Sequence, residues 1–132
     1  MEAAAISLHI PSVGATTDDE FYISWPFLGK WVLDYVGFAP ATAVAEDTTE
    51  IRTSTIAVNA GVASTSWSTV CSHTSDTDLT GHLPYVIGTV IEPTVTPREL
   101  RRGYQIRVSS VHGGATGKVH DGTYVFSATK VN

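Results

Sequence analysis

The chain has 132 residues, only 16% of them charged, and a net charge of -5. This length fits one domain of common size, and the acidic balance disfavours binding to nucleic acid, for which proteins are usually basic. Cys71 is the only cysteine, so no disulfide can form within the chain, and no segment has the roughly 20 apolar residues of a membrane helix. Nothing at the start resembles a signal peptide, and the single cysteine is compatible with synthesis in a reducing cytoplasm.

Branched residues and period-two alternation predict an all-β domain over residues 1–132. Thr, Val and Ile account for 41 residues, which favours strands. Ala5–Pro11 predicts an edge strand that ends at the proline. Met1–Ala4 has nothing to hold it within the domain, so residues 1–10 are expected to form an N-terminal arm followed by this edge strand. The next strands are predicted at Phe21–Trp25, Trp31–Phe38, Ile51–Ala60 and Ser66–Ser72.

The faces of three strands follow from alternation alone. Trp67 and Cys71 are expected on one face of the fifth strand. For the fourth strand, two sets of residues could face inward, and a bulge near Ser54 is possible. Its candidate inward sets are Arg52, Ser54, Ile56 and Val58, or Ile51, Thr53, Thr55 and Ala57. The third strand is expected to separate Val32, Val36 and Phe38 from Trp31, Leu33 and Tyr35.

The C-terminal third predicts a sixth strand at Tyr85–Glu92 and two final antiparallel strands. Thr96–Gly103 has a capping Thr, a proline at the first helical position and a terminating glycine, which predicts a helix of one or two turns. The last two strands are expected at Tyr104–Ser109 and Thr123–Val131, joined by a Gly-rich loop. Eight short strands indicate a two-sheet antiparallel β-sandwich, jelly-roll-like, with an immunoglobulin-like sandwich as the alternative.

The sequence contains no catalytic signature, and we predict no enzymatic activity, no catalytic residue and no cofactor. Cys71 and His73 are too poorly placed on a strand to form a nucleophilic pair, and a core cysteine is the ordinary interpretation. His112 and His120, with Asp121, could face each other across the last loop, but solvated histidines fit better than a metal site. The acidic segment Asp18–Glu20 does not match a calcium loop.

Half of the basic residues fall within ten positions of the acidic chain. A short helix would place Arg98 on one face with Arg101 or Arg102. We expect a patch that docks on an acidic surface of a neighbouring subunit, although a solvated turn explains the same residues. The candidate interface residues are Met1, Glu2, Ala3, Ala4, Arg98, Arg101, Arg102 and Arg107.

Three segments together resemble the small decoration, or cement, proteins of tailed-bacteriophage heads. The first runs through Ile10-Pro11-Ser12-Val13, Phe21-Tyr22-Ile23 and Gly29-Lys30-Trp31-Val32. The second is the strand from Arg52 to Gly61. The third is Leu100-x-x-Gly103-Tyr104-x-Ile106-x-Val108-Ser109-Ser110-x-His112-Gly113-Gly114.

The resemblance implies a jelly-roll-like homotrimer without catalytic or metal-binding residues. Such a protein would bind the outer capsid surface in the virion, clamp adjacent copies of the major capsid protein, and contact neither nucleic acid nor membrane. An N-terminal segment on the capsid surface would match Met1–Ile10. Two other functions stay open: a carbohydrate-binding module or fibre tip using exposed Trp25, Trp31 or Trp67, and, more weakly, a cupin-type metalloenzyme.

Overall fold

The structure is a computed structural model that describes residues 2–14, 17–41, 52–59, 66–74, 85–86, 99–113 and 120–131. These residues contain nine strands and no helix, and hence no helix that could cross a membrane. In chain order they are β1 (Ala3–Val13), β2 (Asp19–Ser24), β3 (Lys30–Pro40), β4 (Arg52–Asn59), β5 (Trp67–Thr74), β6 (Tyr85–Val86), β7 (Glu99–Leu100), β8 (Gln105–His112) and β9 (His120–Val131).

The strands form two antiparallel sheets that pack face to face. Sheet 1 has the order β1-β9-β3-β6, with β7 also paired to β3, and sheet 2 has the order β2-β8-β4-β5. The first four strands alternate between the sheets, β4 and β5 are neighbours in sheet 2, and β8 and β9 again lie in opposite sheets. These two strand orders are those of a jelly roll, with β7 added as a two-residue ladder. The predicted all-β, jelly-roll-like sandwich is therefore confirmed.

The core consists of the inward-facing residues of both sheets. Sheet 1 contributes Leu33, Val36, Phe38, Tyr124 and Phe126, and sheet 2 contributes Ile56, Ile106 and Val108, all buried. On β4 the inward set is the one that contains Arg52, Ser54, Ile56 and Val58, since these residues are buried. The alternation of β8 and β9 predicted their buried faces correctly.

Two β-bulges correct the predicted strand faces. The register of β3 against β9 shifts between Leu33 and Tyr35, so Trp31, Leu33, Val36 and Phe38 are all buried on one face. The register of β4 against β5 shifts between Ile56 and Ala57, and the extra residue lies on β5. Cys71 therefore packs against the core, whereas Trp67 lies on the outer face of sheet 2.

Two further expectations were wrong. Glu99 and Leu100 form strand β7 opposite Val32 and Trp31, so they do not belong to a helix. The buried Leu100 side chain gains more from this pairing than local helix signals provide. The last two strands do not pair with each other, because β8 lies in sheet 2 and β9 in sheet 1. Of Tyr85–Glu92, only Tyr85 and Val86 are described, as β6.

Candidate interaction surfaces

One end of the sandwich is closed by aromatic rings beneath a short exposed loop. Trp25 and Trp31 are buried, with ring centroids 5.7 Å apart, and Phe27 packs against both. Trp31 Nε1 donates a hydrogen bond to the Leu28 carbonyl oxygen at 3.0 Å. Gly29 has φ 99°, a left-handed conformation that glycine adopts readily and that turns the chain into β3. The Leu28 side chain is 67% exposed above this aromatic cluster.

Cationic side chains surround Leu28, and we call this surface the basic end. Arg102 Nε donates to the Pro26 carbonyl oxygen at 3.2 Å, and Lys130 Nζ lies 6.0 Å from the Trp31 ring centroid. Arg101 Nε pairs with Glu99 Oε1 at 2.7 Å, a contact that raises the pKa of Arg101. The basic end consists of Leu28, Lys30, Arg101, Arg102 and Lys130.

The predicted arginine patch is only partly brought together. Arg101 and Arg102 lie side by side on the turn before β8, where Gly103 N–H donates to the Trp25 carbonyl oxygen at 2.9 Å. Arg107 lies apart from them on the outer face of sheet 2, with its guanidinium 4.5 Å from the centre of the Trp67 ring. Arg98 is outside the described residues. Alternation and charge did not reveal that Leu28 and Lys30 share this end with Lys130, which is far from them in sequence.

The N-terminal segment is part of sheet 1. Ala3 lies opposite Thr129 and Ala4 opposite Ala128. The Lys130 N–H donates to the Glu2 carbonyl oxygen at 2.8 Å, and Lys130 Nζ lies 3.4 Å from the Glu2 carboxylate. The expectation of an unattached arm is therefore wrong for residues 2–4, while the expected edge strand is correct; Met1 is outside the described residues.

The opposite end of the sandwich is filled by a buried polar network. Arg52 donates from Nη1 to Ser110 Oγ at 3.1 Å and from Nη2 to the Gly14 carbonyl oxygen at 3.0 Å. Ser54 Oγ lies 3.3 Å from Ser110 Oγ. Burial lowers the pKa of Arg52, while Asp19 and Asp18 oppose that effect. The sequence signal for this network was the presence of Arg52 and Ser54 in one inward set of β4.

His120 extends the network to Asp19 and Tyr124. Its Nδ1 lies 3.1 Å from the Asp19 carboxylate, and its Nε2 lies 3.1 Å from the Tyr124 hydroxyl oxygen. A carboxylate only accepts, so Nδ1 carries the proton and Nε2 accepts from Tyr124. Burial lowers the pKa of His120, with Asp19 acting in the opposite direction, and burial raises the pKa of Tyr124. A neutral imidazole therefore links the two sheets.

Two other side chains that could bind a metal ion, those of Asp18 and His112, contact each other. Asp18 Oδ1 accepts from the His112 backbone N–H at 3.0 Å and lies 2.7 Å from His112 Nδ1, and these contacts lower the pKa of Asp18. His112 and His120 thus contact different aspartates. The described residues contain no group of three or more His, Cys, Asp or Glu side chains placed to hold a metal ion.

Cys71 is in the environment of a core residue. It packs against the hydrophobic core, and desolvation raises the pKa of its thiol to about 11. Thiolate is therefore scarce at neutral pH. The neighbouring His73 ring lies 5.8 Å from the Phe38 ring.

Only one of the three tryptophans is available as a binding platform. Trp25 and Trp31 are 0% and 3% exposed, so they are core residues and do not serve the carbohydrate-binding alternative. Trp67 is half-buried on the outer face of sheet 2. Its ring lies 5.8 Å from the ring of Tyr22, which is 49% exposed, and Arg107 covers part of it.

Comparison of the chain with protein-family models, curated proteins and solved structures found no match.

Proposed function

We propose that the chain is a structural virion protein that decorates the outer surface of a tailed-bacteriophage head and binds its major capsid protein. The sequence resemblance suggests this function, and a jelly-roll sandwich is the fold it implies. The interior is filled by the aromatic cluster at one end and the polar network at the other. Function is therefore assigned to the outer surface, and binding there would stabilise the shell by mass action.

The observation that carries the proposal is the separation of charge between the two ends among the described residues. The basic end combines the exposed Leu28 with four cationic side chains and with Glu2 and Glu99. Of the described residues at the opposite end, Asp18, Asp19, Glu20 and Asp121 are acidic and Arg52 is basic. An apolar anchor surrounded by cations suits a partner surface that offers an acidic rim around an apolar depression.

Co-sedimentation with purified phage heads that lack the protein tests this proposal. We expect saturable binding, and a higher temperature of head disruption when the protein is bound. Arg101→Gln with Arg102→Gln should weaken binding roughly tenfold, because two rim charges of this kind contribute about 1–2 kcal/mol. Ser12→Asp with Thr17→Asp changes the net charge equally away from the basic end and should bind normally. Absence of binding to any head, or equal loss in both variants, would contradict the proposal.

A carbohydrate-binding module or fibre tip is the second candidate, and Trp67 with Tyr22 is the observation that favours it. Aromatic faces stack on sugar rings, and this pair lies on the outside of the sandwich. A glycan array followed by a fluorescence titration of wild type and Trp67→Ala distinguishes the two functions. Glycan binding that is lost in Trp67→Ala, without binding to heads, would favour the second candidate.

A further inference from the structure

Strand β1 has a long outer edge without a partner in the described part of the chain. Since the Lys130 N–H donates to the Glu2 carbonyl oxygen, even-numbered residues of β1 direct their backbone groups at β9. The N–H and C=O groups of the alternate residues therefore point away from the sheet. These residues are Ala3, Ala5, Ser7 and His9, and their side chains are exposed.

From Ala3 to Ile10 this edge lacks the features that usually protect exposed strands. Natural edge strands carry charges or prolines, contain β-bulges, or are short. β1 is 11 residues long and has no Lys, Arg, Asp or Glu between Ala3 and Val13. Pro11, within the bulge between Ile10 and Val13, ends the regular pairing and so defines where an added strand would stop.

The side of the sandwich next to this edge is apolar. β1 directs Ala4, Ile6 and Leu8 toward the core, but they remain only partly buried. β2 is the neighbouring edge of sheet 2, and its inward residues Phe21 and Ile23 are also only partly buried. The opening between the two sheets therefore exposes a row of apolar side chains from each.

We propose that a second copy of the chain covers this edge, through antiparallel pairing of β1 with its counterpart about a two-fold axis at Ile6. In this register Ala5 lies opposite Ser7 of the other copy, and Ala3 opposite His9. All four residues with outward backbone groups then form hydrogen-bonded pairs, which gives eight bonds in about 20 Å of strand. If the register of the two β1 strands shifted by two residues in one direction, some of these backbone groups would have no partner. A shift in the other direction would place Ala3 opposite Pro11.

The same register completes the core across the axis. Ile6 faces its own counterpart in a non-hydrogen-bonded pair, where side chains approach most closely, and Ala4 faces Leu8. Since the axis is perpendicular to sheet 1, both copies of β2 lie on the same side of the joined sheet. Phe21 and Ile23 of the two copies then approach each other, which closes the apolar opening.

This assembly differs from the homotrimer that the sequence resemblance implies, and it does not require a capsid. The native mass distinguishes the two, because one chain is 14.1 kDa and two copies are about 28 kDa. We expect the purified wild-type chain to sediment as two copies at micromolar concentration. A monomer or a trimer would overturn the two-fold pairing.

Two matched double variants test the register. Ala5→Lys with Ser7→Lys places like charges opposite each other at two positions, so the mass should fall to that of one chain. Ala5→Lys with Ser7→Glu places opposite charges at the same positions and should remain a dimer. Residues 5 and 7 are exposed, so both variants should fold and keep the wild-type circular dichroism. Equal masses for the two variants would refute the register.

A cysteine at the axis provides a test that does not depend on charge. Ile6→Cys should form an intermolecular disulfide in oxidising buffer, since a non-hydrogen-bonded antiparallel pair brings the two Cβ atoms close to disulfide distance. The wild-type chain, with only the buried Cys71, is the control and should stay uncrosslinked. Failure of Ile6→Cys to crosslink in a folded sample would also overturn the proposal.

Discussion

The two ends of the sandwich are closed by opposite chemistry. At one end Trp25, Phe27 and Trp31 pack ring against ring. At the other, Arg52 and His120 belong to a hydrogen-bonded network between the sheets. The aromatic end is stabilised by burial of apolar surface, which does not depend on pH. The polar end contains titratable groups whose charge state is tied to folding.

This difference separates stability from binding. At the aromatic end, Trp31 Nε1 donates to a backbone carbonyl oxygen, and the side chains of Arg101 and Arg102 are exposed at the rim, where a partner can reach them. At the polar end, the charged groups contact one another across the sheets. Substitutions at the two ends should therefore differ in size, in pH dependence and in their effect on binding.

Removal of an aromatic ring should have the largest effect. Trp25→Ala should lower the free energy of unfolding by about 3–5 kcal/mol, because it leaves a cavity beside Phe27 and Trp31. Chemical denaturation measures this loss. The control is Trp67→Ala on the outer face of sheet 2, where the ring is half-buried and no cavity forms. A loss for Trp67→Ala as large as that for Trp25→Ala would contradict the assignment of the core.

Removal of one hydroxyl at the polar end should have an intermediate effect. Tyr124→Phe should lower the free energy of unfolding by about 1–2 kcal/mol, because His120 Nε2 loses its buried donor. Tyr22→Phe removes a hydroxyl that contacts Glu20 on the exposed surface, and it should change stability by less than about 0.5 kcal/mol. Equal effects of the two changes would contradict a tightly buried network.

The pH dependence should originate at the polar end. The folded state lowers the pKa of His120 from 6.5. The unfolded chain therefore takes up this proton first as the pH falls, and stability present above the unfolded pKa is lost on acidification. The effect is moderated by the attraction of Asp19. Denaturation at several pH values should show a smaller slope in His120→Gln than in wild type, with the exposed His9→Gln as control; an unchanged slope would contradict this role.

The smallest effect is expected at the rim of the basic end. Glu99→Gln removes the partner of Arg101, whose side chain is 51% exposed. An exposed ion pair contributes little to stability, so the unfolding midpoint should hardly move. A shift as large as that of Tyr124→Phe would show that the rim stabilises the fold and is not free for docking.

The fold was predictable from sequence because alternation is a local signal. Ile106 and Val108, like Tyr124 and Phe126, alternate with polar residues and are buried as expected. The bulge at Asp34 interrupts this alternation. The Asp34 carboxylate accepts a hydrogen bond at 2.5 Å from Thr129 Oγ1 on the neighbouring strand. Nothing near Asp34 in sequence indicates that partner, so the shift in phase could not be anticipated.

The surfaces were less predictable because they join distant segments. Leu28, Arg102 and Lys130 meet only after the loop at Gly29, the turn at Gly103 and the end of β9 come together. The Ala-rich start of β1 has weak strand propensity, yet pairing with β9 orders it. Local helix signals at Glu99 were likewise overridden by a partner strand.

The pairing of β1 with β9 also determines when the protein can fold. Ile6 lies opposite Phe126, so the ladder at this edge of sheet 1 joins segments more than a hundred residues apart. During translation, the apolar side chains of β1 stay exposed to solvent until β9 has left the ribosome. We expect folding after synthesis to take milliseconds to seconds. During that delay, chaperones should be needed to protect the chain from aggregation.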